Sequence, residues 1–138
     1  MKYSEFKAKQ AAEMNEFPMG FAFSDKQLNE LLEKWDCKKD DLCSTGAGCI
    51  MRKTDSKALD DLYRKLSAEQ VEAMKDDAFL TEAIRSELSN HEYIYTSDNT
   101  DALRALGLTQ KDLETERIGK CYTAAREEYM QWCEENDI

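Results

Sequence analysis

Phe17-Pro18-Met19-Gly20-Phe21-Ala22-Phe23-Ser24-Asp25-Lys26-Gln27 is the stretch that decides how the chain is read. Upstream of it, Tyr3, Phe6, Gln10, Met14 and Phe17 recur at steps of three and four, the spacing of one helix face, and Ala8, Ala11 and Ala12 favour helix between them. Pro18 ends that helix, because the residue before a proline avoids the α region. Met19 to Phe23 is short, apolar and partly aromatic and predicts a buried strand, with Phe21 and Phe23 facing one side because side chains alternate. Ser24 followed by Gln27 has the form of a capping box, and the helix it opens carries its apolar stripe at Leu28, Leu31, Leu32 and Trp35.

Further along, the pattern dissolves from Cys37 to Gly48 into a loop ending in Ser44-Thr45-Gly46-Ala47-Gly48. Cys49-Ile50-Met51 predicts a second short strand. Thr54, Asp55 and Ser56 are good caps for a third helix striped by Leu59, Leu62, Tyr63 and Leu66. Ser67 to Gln70 repeats the capping-box form and predicts a helical region through Val71, Met74, Ala78, Leu80, Ile84 and Leu88, with a break near Asp76-Asp77. His91-Glu92-Tyr93-Ile94-Tyr95-Thr96 reads as the clearest strand, because β-branched and aromatic residues dominate it. Thr100-Asp101 opens a short helix that Gly107 closes in the left-handed conformation. Thr109 starts a last long helix with Leu113, Ile118, Cys121, Tyr122, Ala125, Tyr129 and Trp132 inward. The expected fold is α+β: five to six helices packed on a small three-stranded antiparallel sheet, in a single domain over residues 1–138. Trp35, Tyr63, Ile84, Ile94 and Trp132 are its expected core anchors.

The 138 residues carry 29 acidic against 19 basic side chains, a net charge of -10. An excess of that sign disfavours direct nucleic-acid binding, which needs basic groups to neutralise phosphates. No apolar run reaches the ~20 residues of a membrane span, and the first residues lack the apolar stretch of a signal peptide. A cytoplasmic location is therefore expected. Five cysteines, at 37, 43, 49, 121 and 133, cannot complete an internal disulfide framework, so reduced thiols are expected. The six-residue spacing of Cys37, Cys43 and Cys49 lacks the tight pairs of structural zinc, and a Cys3His set with His91 is the weaker reading beside buried thiols; neither metal nor cofactor is expected.

Phe17-Pro18-Met19-Gly20-Phe21-Ala22-Phe23-Ser24, the Gly46-Ala47-Gly48-x-Ile50-x-Arg52-Lys53 element, Asn90-His91-Glu92-Tyr93 and Asp101 to Leu108 occur in that order. Their arrangement resembles a functionally uncharacterised family of small acidic proteins from phages and mobile elements of gut bacteria. The resemblance implies a genomic setting in which small proteins are often inhibitors of host defence, and it carries over no catalytic residue.

Charge is the most informative feature. Residues 1–68 hold 12 basic and 12 acidic side chains, whereas residues 69–109 hold 3 and 9, and residues 110–138 hold 4 and 8. Such asymmetry creates a field that steers a basic partner, although a modest negative charge also serves solubility alone. The expected binding face is Glu69, Glu72, Asp76, Asp77, Glu82 and Glu87, with only Lys75 and Arg85 to offset them. The leading expectation is a non-enzymatic acidic inhibitor, of phage type, that occupies the Arg and Lys sites of a basic nucleic-acid-binding host defence protein such as a CRISPR effector. The alternative is a small protein that binds or sequesters a nucleotide at Gly46 and Gly48, with Arg52 and Lys53 meeting the phosphates. That loop lacks the full P-loop and Rossmann patterns. His91 is the one imidazole, and the pairs Asp40-Asp41, Asp60-Asp61 and Asp76-Asp77 are poor chelates because adjacent helical residues diverge. All five thiols should react with a thiol reagent on denaturation without reductant; elemental analysis finding stoichiometric zinc in the purified protein would overturn the reduced-thiol reading.

Overall fold

Pro18 does end the first helix. In the computed structural model, which describes residues 1–138, α1 spans Tyr3–Glu16 and β1 follows at Met19–Phe21. Then come α2 (Asp25–Lys34), β2 (Leu42–Gly46), β3 (Cys49–Arg52), α3 (Ser56–Ala73), α4 (Asp77–Asn90), α5 (Tyr93–Thr96), α6 (Thr100–Ala105) and α7 (Glu116–Glu135). The fold is α+β, with seven helices and one antiparallel sheet of strand order β1-β3-β2. The chain forms two compact units, Ala8–Ser67 on the one hand and Met1–Lys7 with Ala68–Ile138 on the other.

The sheet belongs to Ala8–Ser67. Met19, Gly20 and Phe21 of β1 stand opposite Met51, Ile50 and Cys49 of β3, and Leu42, Cys43 and Ser44 of β2 stand opposite Arg52, Met51 and Ile50. The third strand is thus β2, inside the stretch expected to be loop. Leu42-Cys43-Ser44-Thr45-Gly46 has little strand propensity of its own; pairing with β3 makes it a strand. Gly20 lets α2 approach β1, since a Cβ there would lie 2.5 Å from Leu31 Cδ2. Ser24 caps α2 by accepting from the Gln27 N–H at 3.3 Å, while Gln27 Oε1 accepts from the Phe23 N–H at 2.7 Å, one residue earlier than the capping box predicts. Phe21 and Phe23 do share a side, with rings 6.3 Å apart and nearly parallel at 8°. They are exposed, 62% and 74%, and not buried, because β1 is an edge strand that ends at Phe21. Near the other end of this unit, the buried Gln10 side chain donates to the Leu66 carbonyl at 2.9 Å, and Lys65 pairs with Glu13 at 3.0 Å.

In the second unit α4 forms the core. Phe79, Leu80, Ala83, Ile84, Glu87 and Leu88 are all buried, two adjacent positions per turn, so this helix is covered across a wide arc. Tyr3, Phe6, Met74, Ala102, Leu106, Cys121, Ala125, Tyr129 and Cys133 complete the cluster, with Tyr3 and Phe6 both edge-on to Phe79. The break at Asp76-Asp77 is present: Asp76 caps α4, accepting from the N–H groups of Ala78 and Phe79 at 2.8 and 3.3 Å. Ser67 starts no helix, because α3 runs unbroken to Ala73. Gly107 has the expected left-handed φ of 68° after α6, and Thr109 with Asp112 caps a short 3-10 turn that precedes α7.

The expected strand at His91–Thr96 is the short helix α5. Glu92 and Ser97, both at φ 55°, bend the chain on either side of it. Its aromatic residues anchor it to α7: the Ile94 N–H donates to the Tyr129 hydroxyl at 3.2 Å, and Arg126 Nε donates to the Tyr93 hydroxyl at 3.1 Å. Of the expected core anchors Ile84 is buried and Trp35 and Ile94 are half-buried, whereas Tyr63 and Trp132 are exposed. Leu80→Ala or Leu88→Ala should therefore cost about 2–5 kcal/mol by urea titration. Tyr63→Ala should stay within about 0.5 kcal/mol of wild type.

Candidate functional site

The repeat of buried positions along α4 carries Glu87 inward with Ala83, Ile84 and Leu88, so its carboxylate has to find partners inside. It is 6% exposed, which removes it from the acidic surface expected from the sequence. The Tyr3 hydroxyl donates to Glu87 Oε1 at 2.5 Å, and His91 Nε2 lies 3.3 Å from Oε2. Burial, then the hydrogen bond and the charge of Glu87, push the Tyr3 phenol far above its ordinary range. The result is a phenol–carboxylate–imidazole chain whose outer end, His91, is half-buried. Its evident work is to fasten the first turn of α1 onto α4.

Most of the other predicted acids also have structural occupations. Glu72 pairs with Lys75 at 2.8 Å, Asp76 is the α4 cap, and Asp77 pairs with Arg117 at 2.6 Å. Glu82 accepts from the Tyr3 N–H at 3.1 Å, and Glu69 is half-buried and engaged. Asp76 and Asp77 also sit at the positive end of α4, where carboxylates stabilise a helix. Asp77 and Glu82 do come together, around a shallow depression that Ala78, Thr81, Arg85 and Glu128 complete. Arg85 and Arg117 offset much of the charge there.

Carboxylates that form no ion pair lie on α7, and of these only Glu128 borders the depression that Arg85 shares. Glu127, Glu128, Glu134 and Glu135 are all exposed along its second half. Arg126 is the one cation in that half, and it is turned toward the Tyr93 ring and hydroxyl. The last turn of α7 holds no basic residue, so Glu134 and Glu135 stand at the negative end of the helix dipole. Each carboxylate in that position costs about 0.3–1 kcal/mol. Stability accounts for Asp76 and Asp77; it argues against Glu134 and Glu135.

The glycine element is the tip of the β2–β3 hairpin. Gly46, Ala47 and Gly48 have φ of 103°, 51° and 77°, which turn the chain in place. The Phe23 ring closes over Gly48, so that a Cβ there would collide with Phe23 Cε1. Arg52 lies four residues along β3, about 13 Å from the tip, and its Nε is held by Asp55 at 2.8 Å. Gly46, Gly48, Arg52 and Lys53 are therefore not gathered around one pocket. No three His, Cys, Asp or Glu side chains form a group able to hold a metal, and no helix is long and apolar enough to cross a membrane.

The model of a protein family described as a family of unknown function, DUF7659, matches residues 2–128. The chain belongs to that family. The match runs through both units, from the first turn of α1 into α7, and it takes in Glu127 and Glu128 but not Glu134 and Glu135. No curated protein and no solved structure matches the chain.

The Tyr3–Glu87 bond makes stability depend on alkaline pH. The folded phenol keeps its proton where the unfolded one, near pH 10, loses it, so the stabilisation is complete below about pH 10 and falls as pH rises beyond. Tyr3→Phe should cost about 1–3 kcal/mol at neutral pH, because it strips a donor from a buried carboxylate. Urea titrations from pH 7 to 11 should also show a smaller alkaline loss in the variant; an unchanged slope would contradict the assignment.

Proposed function

We propose that this DUF7659 member is a non-enzymatic interaction protein whose acidic α7 docks on a basic surface of a partner protein. The observation that supports it most is the placement of Glu134 and Glu135, unopposed and at the end of the helix where their charge lowers stability. Glu127 and Glu128 extend the same acidic stretch two turns back, so four carboxylates span about 12 Å of helix. That spacing suits several Arg or Lys side chains at once, and carboxylate–guanidinium pairs are strong when desolvated. A surface that binds phosphate backbones is the richest source of such cations, so the partner class is a nucleic-acid-binding protein. In its finer form the proposal is a phage-type inhibitor of a host defence effector, CRISPR nucleases included, acting as a mimic of the phosphate backbone.

The test compares wild type with a variant in which Glu127, Glu128, Glu134 and Glu135 are all glutamine. Captured from a host lysate, wild type should recover basic proteins whose yield falls steeply between low and high salt, because the attraction is screened over about 8–10 Å. The variant should lose them. Its melting temperature should hold or rise, since relieving each carboxylate at the helix end returns about 0.3–1 kcal/mol. Recovery of the same proteins by both, at either salt, would end the proposal.

A further inference from the structure

The sheet of the Ala8–Ser67 unit has two chemically different faces. Directly opposed residues in an antiparallel pair share a face, and residues two apart on a strand share it as well. Gly20, Ile50 and Ser44 therefore look one way, toward Leu31 of α2. Met19, Met51 and Cys43 form a row across all three strands on the other face, and Cys49 stands two residues from Met51 on that same face. Four of the sulfur-bearing side chains of the chain are thus collected on one side of three short strands.

The sulfurs come into contact. Cys49 Sγ lies 3.8 Å from Met19 Sδ. Metal–sulfur bonds are about 2.3 Å long, and two sulfurs on one ion at 110–120° lie about 3.8–4.0 Å apart. Met19, Cys43 and Cys49 are half-buried and Met51 is buried, so the cluster is shielded while keeping a way in from solvent. No further His, Cys, Asp or Glu joins the two cysteines to make a zinc set. Thiolate and thioether together form a soft donor set, and its thioether half favours Cu(I), because zinc takes thiolate, imidazole and carboxylate ligands and magnesium takes oxygen.

We propose that this face is a Cu(I) site, with Cys49 and Met19 as its core pair and Cys43 and Met51 as the sulfurs able to complete a three- or four-coordinate shell. Binding is coordination without redox change: each ligating thiol gives up its proton to solvent as its sulfur bonds Cu(I), and the thioethers bind as neutral donors. Affinity consequently falls as pH drops. Cys37, beyond the end of α2 and outside the sheet, and Cys121 and Cys133, in the other unit, are not ligands.

The experiment is an anaerobic titration of the reduced full chain with Cu(I), in competition with the chromophoric chelator bicinchoninate. Wild type should withdraw one equivalent of Cu(I) from the chelator. Cys49→Ser and Met19→Leu should each weaken binding by at least about ten-fold, the scale on which even outer partners of a metal matter. Cys37→Ser and Cys121→Ser should leave it unchanged. Met19→Leu keeps volume and hydrophobicity, so loss of binding in a variant with a wild-type circular dichroism spectrum is loss of a ligand and not of the fold. Failure of wild type to compete, equal binding by Met19→Leu, or an equal loss in Cys37→Ser would each overturn the site and mark the contact as packing alone.

Discussion

Two adjacent buried positions on every turn of α4 are the constraint on which the larger unit rests. Phe79 with Leu80, Ala83 with Ile84 and Glu87 with Leu88 make a buried arc too wide for one neighbouring helix to cover. Cys121, Ala125, Tyr129 and Cys133 of α7, Ala102 and Leu106 around α6, and Tyr3 and Phe6 of α1 all join the cluster it nucleates. Ala83 and Ala125, both without exposed surface, are small enough for helices to approach closely where a larger residue would hold them apart. One member of the arc is a carboxylate. Because an unpaired buried charge is costly, Glu87 is tolerable only with the Tyr3 hydroxyl and the His91 ring against it.

What was legible in the sequence was chemistry that acts over a few residues. Pro18, Ser24, Asp76 and Gly107 each act through their own backbone or a neighbouring N–H, and each sits where its local rule puts it. The α+β class followed from those stops and from the helical stripes between them. The strands were harder, because pairing is non-local. Leu42–Gly46 becomes a strand only against β3, and His91–Thr96 spends its aromatic side chains on α7 and not on a ladder. Tyr63, Trp132, Phe21 and Phe23 lie on apolar stripes that no other element covers, which is information about neighbours and not about spacing.

Charge was legible as a total and illegible as a surface. The acids from Glu69 to Glu87 look alike on paper, yet one caps a helix, one holds the N-terminal backbone, one is in the core and two have cationic partners. The carboxylates on α7 differ because none of them forms an ion pair and the helix dipole opposes the last two, Glu134 and Glu135. Only the three-dimensional assignment of partners separates charge that holds a fold together from charge presented outward. The glycine element follows the same logic: its unusual backbone is fully accounted for by turning a hairpin beneath Phe23.

The bond between Tyr3 and Glu87 spans 84 positions of the chain. A ribosome adding about 5–20 residues per second needs about 4–17 s to travel from one to the other. For most of that interval Tyr3 and Phe6 have none of their eventual neighbours on α4, because the helix begins only at Asp77 and Glu87 is the last of those neighbours to be made. The intervening Ala8–Ser67 segment, by contrast, contains both ends of every strand pairing it needs and is complete as soon as it emerges. Synthesis therefore imposes an order: the sheet-bearing segment is free to assemble early, while the first turn of the chain waits, apolar and unclaimed, for a helix made much later.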